Sequence, residues 1–159
     1  MKQAKEYKLV CLRECPTPSG MPLGDSPDKI VNYWLTNVPN SVCFRNEVEN
    51  MVIITLNTRK KITGHFHVST GTLDMVVTHP REIFRPAIVM NSAAIVIAHN
   101  HPSGDPTPSE GDIKTTRDLF RAGQILRIEL LDHIIMGTKD PIAENKGYCS
   151  LKELGYFTT

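Results

Sequence analysis

His99 and His101 close an apolar run, Ile95-Val-Ile-Ala-His99, and Asp112 follows after a loop rich in proline and glycine. Alternate residues of a strand point to one face, so both imidazoles can aim at the same point. A helix opening at Ser109 carries Asp112 and can bring its carboxylate back to them. Two imidazoles and one carboxylate are the protein ligands of an open catalytic zinc, with a fourth position left for water. Singly, each residue reads more plainly, as a loop histidine or as an acid that complements a helix dipole. One apolar strand delivering both histidines favours the metal.

Ser109-Glu-Gly-Asp112 also fits a helix start, with Ser109 capping the first turn. A serine hydroxyl beside a metal can equally serve a developing oxyanion, and the residues do not separate the two roles. A metallohydrolase needs a general base for its water. Glu47, Glu49, Glu82 and Glu110 are the candidates. Glu49 stands just ahead of an apolar segment and could sit at a sheet end, yet the pattern alone hardly separates it from its neighbours.

The elements that must hold these groups alternate between strand and helix. Residues 7 to 13 read as a short strand and residues 14 to 25 as a proline- and glycine-rich loop. Ser26-Pro27-Asp28 starts a helix, with Ser as cap and Pro at the first helical position. Its apolar stripe is Ile30, Val31, Trp34 and Leu35, with Trp34 a core anchor, and it fails near Val38-Pro39-Asn40. Residues 50 to 57 are a buried strand, residues 57 to 61 a turn, and residues 62 to 69 its antiparallel partner, ended by Gly71. Pro80 starts a second helix, capped by Thr78 or His79. Pro86 should kink it, or divide it into a turn and a helix running from Pro86 to about Asn91. Residues 93 to 99 form a central strand. A helix from Glu110 to about Ala122 buries Ile113, Thr116, Leu119 and Phe120 and is stopped by Gly123. Residues 125 to 136 give one or two further strands, Gly147-Tyr-Cys149 a last one, and Ser150 caps a terminal turn. The sum is an α/β protein, a mixed sheet with helices packed on it.

Composition narrows the setting. The chain has 159 residues, 18 basic against 17 acidic, and 40% apolar content, which suits one soluble domain. Near-neutral charge creates no general field for nucleic acid or membrane. The one basic run, Arg59-Lys60-Lys61, reads as a solvated hairpin tip. No segment approaches a membrane span, and no apolar signal core follows the N-terminus. Cys11, Cys15, Cys43 and Cys149 form no CxxC pair and read as reduced thiols, so a cytoplasmic location is expected. Oligomeric state has no signal. His65 and His67 share a strand face and read as exposed histidines rather than a second metal pair. Asp132-His133 reads either as a pair orienting site groups or as a structural, hydrogen-bonded histidine.

His99-x-His101-Pro, with seven residues between His101 and Ser109, and then Ser109-x-x-Asp112, resembles the JAMM motif of the MPN (JAB) metallopeptidase fold. The wider wording resembles its bacterial RadC branch: Leu56-Asn-Thr-Arg, Ser69-Thr-Gly-Thr-Leu73, His79-Pro-Arg-Glu-Ile-Phe84, Leu131-Asp-His-Ile-Ile135 and Tyr148-Cys-Ser-Leu-Lys-Glu-Leu-Gly155. The resemblance covers about residues 26 to 157. It divides the chain into an N-terminal strand and proline-rich segment, 1–25, and a RadC-like domain, 26–159. It implies a curved mixed sheet flanked by helices, as in cytidine-deaminase-like folds. It implies zinc on His99, His101 and Asp112, Ser109 as oxyanion partner, and Glu49 as the base with Glu47 next. The activity implied is hydrolysis of an amide, peptide or isopeptide bond in an unidentified peptide or protein substrate. Longer RadC-type proteins resemble helix-hairpin-helix proteins in their N-terminal part. Residues 1–25 are too short and proline-rich for that module, which leaves a role in DNA repair or recombination, with the metal site accessory, as the weaker expectation.

Overall fold

A computed structural model describes residues 10–15, 22–71, 79–139 and 146–157. The elements in order are α1 (Pro27–Asn37), β1 (Asn50–Leu56), β2 (Ile62–Thr70), α2 (Pro80–Val89), β3 (Ala94–Asn100), α3 (Glu110–Leu126), β4 (Glu129–Met136) and β5 (Tyr148–Ser150). The strands form one mixed sheet in the order β2-β1-β3-β4-β5. Only β3 and β4 run parallel, and α3 is the crossover between them. No helix among the described residues is long and apolar enough to cross a membrane.

Helices cover both faces of the sheet, so β1 and β3 are buried along their whole length. This is why both read as continuous apolar runs rather than alternating ones. On one face Ile30, Val31, Tyr33 and Trp34 of α1 meet Val52, Ile54, Val96 and Ala98. On the other, Ile83 and Phe84 of α2 and Leu119 of α3 meet Ile53, Ile95 and Ile97. His99 continues the second series, 95, 97, 99. It therefore points to the α2–α3 side at the end of β3.

Several local expectations change. Residues 10–15 pair with no strand. Val10 and Leu12 are exposed, and Arg13 Nη2 donates to Asn37 O at 2.6 Å instead; residues 7–9 lie outside the described residues. Leu35 faces solvent, and Tyr33 takes its place in the core. Pro86 does not divide α2, which runs through it from a His79 cap. Proline costs that helix the single bond an N–H there would have given to Glu82 O; the next turn closes normally, with Met90 N donating to Pro86 O. Ile113 and Phe120 are only half-buried. Gly123 lies inside α3 instead of ending it. A Cβ there would stand 2.6 Å from Ile128 O and 3.4 Å from Phe84 Cζ, so this glycine permits a close approach. Arg127, at φ 57°, is the left-handed cap, and residues 125 and 126 belong to the helix. The tip residue Lys60 has φ 56° and reaches Glu129 Oε2 at 2.6 Å. All four cysteines are free.

His65 and His67 are half-buried under α1, where exposed strand histidines were expected. His65 Nδ1 meets the Tyr33 hydroxyl at 2.9 Å. Burial is the main cause that pulls the His65 pKa down to about 4, with the charges of His67 and Arg13 adding to it.

Candidate metal centre

His99, His101 and Asp112 converge. Their potential ligand atoms all lie within 4.8 Å of one another. His99 Nε2 stands 3.1 Å from His101 Nε2 and 3.3 Å from Asp112 Oδ1. His101 Nε2 stands 3.6 Å from Asp112 Oδ2. Ligand atoms about 2.0–2.1 Å from a tetrahedral zinc are about 3.4 Å apart, so the observed separations suit one shared ion.

Each ligand is held by its own element. His99 is wholly buried in β3, and His101 N donates to Met136 O at 2.9 Å at the neighbouring strand end. His101 Nδ1 lies 2.8 Å from Asp105 O. A carbonyl can only accept, so Nδ1 carries the hydrogen and Nε2 presents its lone pair to the site. The loop after His101 turns at Gly104, whose φ is +84°, and Thr138 N donates to Gly104 O at 2.7 Å. Asp105 Oδ1 closes the next turn by accepting from Thr107 N and Thr107 Oγ1.

Asp112 sits at the third position of α3 in a reciprocal capping box. Asp112 N donates to Ser109 Oγ at 3.2 Å, while Ser109 N and Oγ donate to Asp112 Oδ2 at 2.8 and 2.6 Å. Burial works against the Asp112 charge. The His101 and His99 imidazoles beside it, with the hydrogen bond from Ser109, outweigh it and hold the carboxyl well below the usual range. The bond to Asp112 raises the His101 pKa; burial opposes this, and Asp105 O with the Asp112 and Glu49 charges reinforce it. Both shifts mark a site that attracts a cation, whether proton or metal.

Glu49 Oε1 lies 3.8 Å from His99 Nε2, with 36% of its side chain exposed. Glu47 is exposed and forms no ion pair among the described residues. Glu82 pairs with Arg85 at 3.2 Å. Two asparagines that sequence reasoning passed over place Glu49. Asn50 N and Nδ2 donate to Asn100 Oδ1, both at 2.9 Å, and Asn100 Nδ2 donates to Val48 O at 3.0 Å. Gly71 N donates to Glu49 O at 2.9 Å. The only available signal was an asparagine between the two histidines, on the opposite strand face.

Asp132 and His133 divide their work. Asp132 accepts from Ser150 Oγ at 2.6 Å and Lys152 N at 3.2 Å, tying the terminal turn to β4, and burial raises its pKa. His133 enters the site: its Nε2 is 2.9 Å from His99 Nδ1, and its Nδ1 is 2.6 Å from Thr116 Oγ1. Burial, with the His99 charge adding to it, lowers its pKa to about 3.

The family described as RadC-like JAB domain matches residues 25–156. A UPF0758 protein of Moorella thermoacetica is 53% identical over 89 residues, 56% of this chain and 39% of that protein. A UPF0758 protein of Caldanaerobacter subterraneus subsp. tengcongensis is 43% identical over 132 residues, 83% of this chain and 52% of that protein. One from Staphylococcus carnosus is 40% identical over 132 residues, 83% of this chain and 53% of that protein. The chain spans about half the length of the curated relatives it matches. The matched span takes in every strand and helix described above and all the residues of the candidate centre, and the chain belongs to the RadC-like JAB domain family.

Proposed function

We propose that the chain is a zinc-dependent hydrolase that cleaves an amide bond, peptide or isopeptide, in a peptide or protein substrate. The observation that carries this reading is Glu49. Its carboxylate lies 3.8 Å from a ligand nitrogen, yet it keeps 36% of its side chain open to solvent, so water and substrate can both reach it. A zinc ion on His99, His101 and Asp112 would acidify a water and polarise the scissile carbonyl.

Glu49 takes one proton from the attacking water as the new carbon–oxygen bond forms. It then gives that proton to the amide nitrogen as the carbon–nitrogen bond breaks, so the amine leaves neutral. Ser109 donates a hydrogen bond from its hydroxyl to the carbonyl oxygen while negative charge develops there. In the resting chain the Ser109 hydroxyl donates to Asp112 Oδ2 instead. The hydroxyl must therefore rotate, while its oxygen continues to accept from Asp112 N.

Metal analysis together with a peptide-library digest tests this. The expected results are about one zinc per chain, loss of zinc in His101→Ala, and cleavage products that disappear with a chelator. Glu49→Gln is expected to keep its zinc and release no products. Protein that neither contains nor takes up zinc, or a Glu49→Gln chain that cleaves like the unaltered one, would overturn the reading.

A further inference from the structure

We propose that His133 is a positioning residue that, through Thr116, sets the tautomer of His99 and so aims His99 Nε2 at the metal; this rests on the metal-centre reading above. The hydrogen-bond directions follow from one fixed point. Thr116 Oγ1 lies 2.6 Å from Asp112 O, a carbonyl that can only accept, so the single hydroxyl hydrogen of Thr116 is committed there. Thr116 Oγ1 must then accept from His133 Nδ1 across their 2.6 Å contact. That leaves His133 Nε2 as a bare acceptor, and His99 Nδ1 carries the hydrogen in the 2.9 Å contact between the rings. His99 Nε2 therefore presents its lone pair.

Thr116, His133 and His99 are all buried, so water cannot substitute for any member. The chain of bonds runs from one ligand, His99 on β3, through β4, to the backbone carbonyl of another, Asp112 on α3. A histidine ligand usually donates its second N–H to a carboxylate, carbonyl or water; here a second imidazole accepts it.

A local irregularity delivers His133. Ile95 pairs with Leu130, but Val96 pairs with Asp132, so Leu131 is an extra residue in β4. In a regular strand Leu130 and His133 would face opposite ways. The bulge puts both on the α3 side, with His133 opposite Ile97. Bulges re-aim side chains in this way beside functional sites.

Nitrogen NMR of the metal-free chain reads the tautomers directly, and chelator competition with Zn2+ and Co2+ reads affinity. The expected result is an Nδ1–H tautomer at both His99 and His133. His133→Leu should lose that preference at His99 and bind zinc about 10–100-fold more weakly. Thr116→Val, nearly isosteric, should weaken binding in the same direction. His133→Gln offers an acceptor and a donor in place of the two ring nitrogens, and Thr116→Ser keeps the hydroxyl, so both should restore affinity to within a few-fold. An Nε2–H tautomer at His99 in the unaltered chain, or full zinc affinity in folded His133→Leu or Thr116→Val, would overturn the positioning role alone. Failure of the unaltered chain to take up either ion would overturn the metal-centre reading and this inference with it.

Discussion

Asn100→Ala separates the placement of Glu49 from the candidate metal ligands, His99 and His101, on either side of Asn100. Asn100 is 8% exposed and turns away from the face that carries His99 and His101. Alanine removes the acceptor for Asn50 N and Asn50 Nδ2 and the donor to Val48 O. Two of these groups keep other partners: Asn50 Nδ2 still reaches Arg45 O at 2.7 Å, and Val48 O still accepts from Asn50 Nδ2 at 2.8 Å. Asn50 N is left buried without a partner. An orphaned buried donor costs about 1–3 kcal/mol, and the two lesser losses sit near the low end of about 0.5–1.5 kcal/mol each. The expected destabilisation is about 2–4 kcal/mol, or roughly 10 °C in melting temperature for a chain of this size. Urea unfolding followed by the fluorescence of buried Trp34 measures it. Zinc affinity should change by no more than a few-fold, because β1 and β4 still hold the β3 backbone. Peptide cleavage should fall, because the segment carrying Glu49 has lost its anchor. A stability loss below about 1 kcal/mol would refute the anchoring argument. A tenfold loss of zinc affinity would refute the claim that the two faces of β3 act separately.

Ser109→Ala should lower stability by about 1 kcal/mol through loss of the helix cap and reduce kcat by about 10²–10³ with little change in KM; an unchanged kcat would remove Ser109 from the oxyanion role. Gly123→Ala should destabilise by about 1–3 kcal/mol, because backbone atoms stand 2.6 Å from the new Cβ; a stabilised variant, as helix propensity alone expects, would show that the α3–β4 junction can relax. The metal-free chain should lose stability as pH falls from 6.5 towards 4. In that window the unfolded chain takes up protons that folded His133, His65 and His67 resist, their pKa values being lowered chiefly by burial. His101, whose pKa is raised by its bond to Asp112, works the other way, adding stability below 6.5 that is lost as pH rises through its folded value, and buried Asp132, whose pKa is raised by burial, is relieved of a burial cost as pH falls, but three groups oppose two. Each withheld proton contributes a slope of up to about 1.4 kcal/mol per pH unit. Urea midpoints measured across that range check the sign, His65→Gln should flatten the slope, and a midpoint that rises on acidification would refute it.

What the chain discloses about itself depends on whether a feature is local. His99, His101, Ser109 and Asp112 lie on one strand, one loop and one helix start, so spacing alone brought them together. The strands at residues 50–56 and 94–100 were legible because burial on both faces makes them apolar throughout. Glu49 is different: β1 runs antiparallel to β3 with Met51 opposite His99, and only that register brings a residue so far upstream to the candidate metal centre. Gly123 was misread as a stop because its role is set by Ile128 and Phe84, neither of which helix periodicity describes. His133 shows the limit most clearly. Period-two reading of residues 129–136 puts His133 on the face opposite Leu130, and nothing local announces that Leu131 is extra. The insertion exists only relative to β3, in the pairing of Ile95 and Val96. His133, which meets His99 Nδ1, was therefore visible as a histidine, but its direction is a property of the assembled sheet.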